Sequence, residues 1–80
     1  MEKSIHTPEQ TVLQRLLRQI RRGAGLRQED LAQMLGKPQS FVSNYERGER
    51  RLDLLELRQI CEVVGVPLAD FVRRFEEAVR

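Results

Sequence analysis

Residues 26–48, LRQEDLAQMLGKPQSFVSNYERG, hold the pattern that decides how this chain folds. From Gln28 to Leu35 the spacing predicts a short helix with Leu31, Ala32 and Leu35 on one face. Glu29 and Asp30 fall in its first turn, where negative charge complements the helix dipole. Gly36-Lys37-Pro38 breaks that helix, and a second one is expected over about residues 39–47, with Phe41 or Val42 and Tyr45 turned inward and Gly48 ending it. Two short helices joined by so tight a turn must cross steeply. Ala32 supplies the small side chain that a close crossing needs. Gly36 supplies a residue able to take a left-handed backbone conformation.

The outward side of the second of these helices is left with Gln39, Ser40, Ser43, Asn44 and Arg47. A merely solvated helix face would more typically carry Glu and Lys. Here the side chains are short or medium in length, and all but Arg47 are uncharged. Gln and Asn can bond two atoms of an adenine edge at once, Ser can donate or accept, and Arg can engage guanine or phosphate. The face has no carboxylate, which would repel phosphates.

Working outward, Thr7-Pro8-Glu9-Gln10 reads as a helix start, with Thr7 as cap, Pro8 in the first turn and Gln10 where a capping-box partner belongs. Val12, Leu13, Leu16, Leu17 and Ile20 carry that helix to about Arg22, and Gly23-Ala24-Gly25 ends it. Beyond Gly48, the basic loop Glu49-Arg50-Arg51-Leu52 leads to Asp53, a plausible cap. A helix is expected over 54–64 with Leu54, Leu57, Ile60, Cys61 and Val64 inward. Gly65-Val66-Pro67 makes a turn, and Leu68, Phe71, Val72, Phe75 and Val79 form a last amphipathic stripe. No segment alternates with period two, so the expected class is all-α, with five helices. Residues 1–7 read as an N-terminal tail and 8–80 as one domain, since chains of this length rarely divide.

Composition narrows the functions. Apolar residues are 40 % and charged residues 32 % of 80, a mixture fitting a thin-cored globular domain with a charged surface. With four aromatics and no Trp there is little material for a deep pocket, so neither an enzyme nor a small-molecule effector is expected. Residues 1–51 carry ten Lys/Arg against six Asp/Glu, a balance of +4, and residues 52–80 four against six, a balance of −2. That asymmetry suits one face turned to a polyanion, although an ordinary solvated surface would also give it. One Cys and one His exclude a disulfide framework and a multi-Cys zinc site, and no metal or cofactor is expected. No apolar run nears the roughly 20 residues of a membrane span, and a cytoplasmic location is the simplest expectation.

Over about residues 13–72 the sequence resembles the Xre family, the phage-repressor and Cro type of helix-turn-helix. The resemblance is carried by Leu17-Arg18-Gln19-Ile20-Arg21, Gln28-Glu29-Asp30-Leu31-Ala32, Leu35-Gly36, Val42-Ser43-Asn44-Tyr45-Glu46-Arg47-Gly48, and the later Leu57, Ile60-Cys61 and Val64-Gly65-Val66. It implies a lambda-repressor-like fold and a transcriptional regulator that binds double-stranded DNA. It implies that Gln39, Ser40 and Asn44, with Ser43 close by, touch base edges. Gln28 would open the second helix and hold a phosphate or cap a base-reading side chain. Arg47, Arg50 and Arg51 would grip phosphates, and Arg21 and Glu46 would form an internal salt bridge. Two positions depart from the family. Arg27 and Pro38 stand where Thr or Ser usually caps a helix, and neither can accept the cap hydrogen bond, a loss of about 1 kcal/mol each. Arg27 is expected to reach a phosphate instead.

Lys3, Arg15, Arg18 and Arg22 read as surface charges, Cys61 as a small core residue and His6 as a surface residue. Phe75 and Val79 lie beyond what a minimal five-helix core needs. They either lengthen that core or form an apolar patch for a second subunit, the homodimer being the expected use. The alternative function is an antitoxin or a protein-interaction adaptor built on the same fold.

Overall fold

The computed structural model describes residues 7–80. It contains five helices, α1 (Pro8–Gly23), α2 (Gln28–Leu35), α3 (Gln39–Glu46), α4 (Leu54–Val64) and α5 (Leu68–Ala78), and no strand among the described residues. The all-α, five-helix expectation is borne out. Apart from Thr7, the expected N-terminal tail lies outside the described residues, as do Lys3 and His6.

Each element follows from local chemistry. Thr7 accepts the Gln10 backbone N–H at 3.1 Å, and Pro8 occupies the first turn of α1, where its missing N–H costs nothing. Asp53 and Glu56 close a reciprocal capping box at the start of α4, each carboxylate accepting the other's backbone N–H at 2.7 and 2.9 Å. Arg27 has no acceptor to offer α2, and only the other half of the box forms: Asp30 accepts the Arg27 backbone N–H at 2.9 Å. Pro38 opens α3 with no side-chain cap, its φ of −66° already set for the helix. α3 ends at Glu46, one residue short of the expected end. Gly48, at φ +79°, turns the chain so that the Glu49 N–H reaches back to the Asn44 carbonyl at 2.8 Å.

α2 crosses α3 and also packs on α4, while α1 lies against α3, α4 and α5. The core they enclose is Leu16, Leu17 and Ile20 of α1, Leu31, Ala32 and Leu35 of α2, Phe41, Val42 and Tyr45 of α3, Ile60 and Cys61 of α4 and Phe71 of α5. Burying each of the larger ones contributes about 1.5–3 kcal/mol. Phe41 and Tyr45 meet edge to face with ring centroids 5.5 Å apart. One expected core position is corrected. Leu54 is 65 % exposed, and Leu52, just before α4, packs against the core while Leu54 and Leu55 face outward.

Candidate nucleic-acid interface

α3 presents the side predicted for it. With Phe41, Val42 and Tyr45 buried, Gln39, Ser40 and Arg47 are exposed and Ser43 and Asn44 half-buried. The helix contains one carboxylate, Glu46, and it is turned inward at 2 % exposure. The outward surface of α3 therefore carries no negative side chain.

Glu46 is where three helices are tied. Arg21 of α1 donates Nε to Oε2 at 2.7 Å and Nη2 to Oε1 at 3.0 Å, and Gln28 of α2 donates Nε2 to Oε1 at 3.1 Å. The Glu46 backbone carbonyl accepts Gln14 Nε2 and Arg18 Nη1, both at 3.2 Å. The bidentate bond with Glu46 raises the pKa of Arg21 above its ordinary value. Gln28 opens α2 as expected, and its amide is engaged with this internal carboxylate. Arg18, expected as a surface charge, is half-buried and bound to α3. Composition gives no sign of that role for Gln14 and Arg18, but their spacing with Arg21, at i, i+4 and i+7, places all three on one side of α1.

The arginines around α3 have intramolecular partners. Arg27 pairs with Glu29 at 3.1 Å and Asp30 at 3.0 Å, and holds the Asp30 carboxyl below its usual range. Arg47 donates to Asn44 Oδ1 at 2.7 Å and Glu49 Oε1 at 3.0 Å. Arg50 pairs with Glu56 at 2.9 Å, lowering the pKa of that carboxyl, and lies over the Phe41 ring with 4.6 Å to the centroid. Lys37, from the turn between α2 and α3, sits 5.4 Å from the same ring. Arg51 follows on the same loop, exposed. Gln39, Ser40, Ser43, Asn44, Arg47, Arg50 and Arg51 all belong to α3 and the loop that follows it. Arg27 and Gln28 come from the start of α2.

The other assigned residues lie elsewhere. Phe75 packs, half-buried, against the core. Val79 borders a shallow hollow of about 190 Å³ with Pro8, Glu9, Val12 and Ala78. Cys61 is buried, and burial pushes its thiol pKa up, the reverse of what a reactive cysteine needs. The described residues hold no group of His, Cys, Asp and Glu suited to a metal ion, and none of their helices is long and apolar enough to cross a membrane.

Two crossed short helices, the second with a polar, carboxylate-free outer face and arginines beside it, form a helix-turn-helix of the DNA-binding kind. A helix-turn-helix family profile matches residues 17–71, well over half of the chain. In solved structures the chain is similar to an XRE-family like protein from Pseudomonas syringae pv. tomato, with 38 % sequence identity and a TM-score of 0.85 over 95 % of this chain and 93 % of that one. No curated protein matches it in sequence. The chain belongs to the XRE-type helix-turn-helix family, a family of DNA-binding regulators and not of enzymes.

Proposed function

We propose that residues 8–80 act as one domain of a sequence-specific, cytoplasmic transcriptional repressor that enters the major groove with α3. In this reading Gln39, Ser40, Ser43 and Asn44 meet base edges. Arg47, Arg50 and Arg51, with Arg27 and Gln28 at the start of α2, approach phosphates. The observation that supports it is the placement of Glu46: the only acidic residue of α3 is consumed inside the molecule, so the outward face of that helix has no carboxylate of its own to repel a polyanion. Family membership supports the same reading.

The test is binding of the purified chain to fragments of its own upstream region across a salt series. Log affinity is expected to fall with log salt by about 0.9 for each phosphate neutralised. Gln39→Ala should relax base preference, and Arg51→Ala should weaken all sequences alike. The same uniform loss from both substitutions would overturn the division of roles.

The proposed assembly is a homodimer through α5. Val72, Phe75 and Val79 follow one another at i, i+3 and i+7, and Val72 is 41 % exposed, so one apolar stripe of α5 remains partly open. A twofold pair would set two copies of α3 against half-sites roughly 34 Å apart.

A further inference from the structure

The ring of Phe41 gathers cations from before and after the helix that holds it. Lys37, in the turn before α3, places Nζ 5.4 Å from the ring centroid, and Arg50, in the loop after α3, places Cζ 4.6 Å from the same point. The two charges are thus no more than about 10 Å apart, roughly one Debye length at 0.1 M ionic strength. Phe41 itself is 9 % exposed and belongs to the core, so two separate chain segments converge on one fixed point.

The carboxylates nearby do not use up this charge. Glu56 accepts from Arg50 Nη1 at 3.1 Å and from Nη2 at 2.9 Å, and Arg50 Nη1 also donates to the Arg51 carbonyl at 3.0 Å. Asp53 is turned to the Glu56 backbone N–H as the cap of α4. Lys37, Arg50 and Arg51 therefore stand against Glu56 and Asp53, three cations to two carboxylates. Lys37 is exposed and forms no ion pair among the described residues. Its stem can lie along the ring while the ammonium, with three donors and no acceptor, stays in water. Such a group fits an anion with oxygen acceptors that arrives from outside the molecule.

We propose, resting on the reading of α3 as the groove-entering helix, that Lys37 is a further phosphate contact, and that it and Arg50 serve one stretch of a single DNA strand. Phe41 is what brings the α2–α3 turn and the α3–α4 loop to the same strand. The Lys37 contact adds to those of Arg50 and Arg51 and, being made to the backbone, reads no sequence.

The experiment measures affinity for a fragment of the upstream region, and for a scrambled duplex of equal length, across a salt series. The full chain is compared with Lys37→Gln and Lys37→Arg. Lys37→Gln should reduce the slope of log affinity against log salt by about 0.9, equally on both duplexes, and Lys37→Arg should keep the parent slope. Single methylphosphonate linkages, which carry no charge, then locate the phosphate. One linkage should weaken the parent and leave Lys37→Gln unaffected. The linkage that does the same for Arg50→Gln, made together with Glu56→Gln so that no carboxylate is left unpaired, should be that one or its neighbour on the same strand. A parent-like slope in Lys37→Gln, or linkages on opposite strands, overturns the proposal and leaves the wider reading of α3 standing. A parent that binds neither duplex overturns both.

Discussion

Glu46 and its neighbour Tyr45 show how differently two buried polar residues can bear on stability. The Glu46 carboxylate is met by two donors of Arg21 and one of Gln28. Glu46→Ala leaves the Arg21 guanidinium buried without its counter-charge, and a loss of about 3–5 kcal/mol is expected in chemical denaturation. A parent-like denaturation midpoint would show that the pair contributes nothing. Tyr45 is 1 % exposed, and its hydroxyl has no hydrogen-bond partner among the described residues. Burial accordingly raises its pKa. Tyr45→Phe removes an unpaired polar atom while keeping the ring on Phe41, and it should leave stability within about 1 kcal/mol of the parent or slightly above it. At this scale the sequence is informative where chain phase alone decides. Ser40 and Ser43 are on the outer face because Phe41, Val42 and Tyr45 are on the inner one. It is silent on which distant partner a long polar side chain takes. Nothing in the local pattern of Gln14 or Arg18 says that both donate to a carbonyl 32 or 28 residues away.

At the level of the helices, the caps and the chain reversals carry the testable content. Asp53→Ala removes the acceptor of the α4 box and should cost about 1 kcal/mol, read as a lower melting temperature. Gly48→Ala meets two obstacles, a left-handed backbone at φ +79° and the Gln14 side chain, whose Oε1 would lie 2.7 Å from the new Cβ. The backbone alone accounts for about 1–2 kcal/mol. The loss should shrink when Gln14→Ala is already present, so a double-mutant cycle that adds without coupling would show that the side chain yields freely. Acid should weaken the start of α2 and of α4. Asp30 and Glu56 titrate below their ordinary values of 3.8 and 4.5 because arginine and backbone N–H groups favour the charged forms. Their contribution is complete above those ordinary values and is lost as pH falls through the lowered ones. Melting temperature should therefore fall as the pH is lowered below about 5, and less steeply in Glu56→Gln. The helix bounds were legible in advance because Gly, Pro and Asp punctuate them. Leu54 points outward against its period because a 3.6-residue repeat shows which way a side chain points but not how far the neighbouring helices reach. Past their reach, Leu52 takes the inner seat.

For the molecule as a whole, association and charge are the quantities to measure. Light scattering at assay concentration is expected to give a dimer mass for the parent and half that mass for Val72→Asp, which alters the open edge of the α5 stripe without emptying the core. Equal monomer masses for the two would remove the α5 dimer. The fold as a whole could be anticipated from the sequence, since five amphipathic segments separated by short breaks leave few ways to close a core of this size. Whether a second copy covers α5 could not, because an apolar stripe reads the same whether its own core or another subunit lies on it.

Tying the end of α3 to α1 and α2 through Glu46 has a further result for how such a protein can change over generations. Gln39, Ser40 and Ser43 have no hydrogen bond into that internal network, so exchanging them leaves the framework untouched. On the proposed reading of α3, retargeting is thereby uncoupled from folding: a lineage can acquire a new operator by altering a few surface letters, while the selection that keeps the protein intact acts on a separate set of positions.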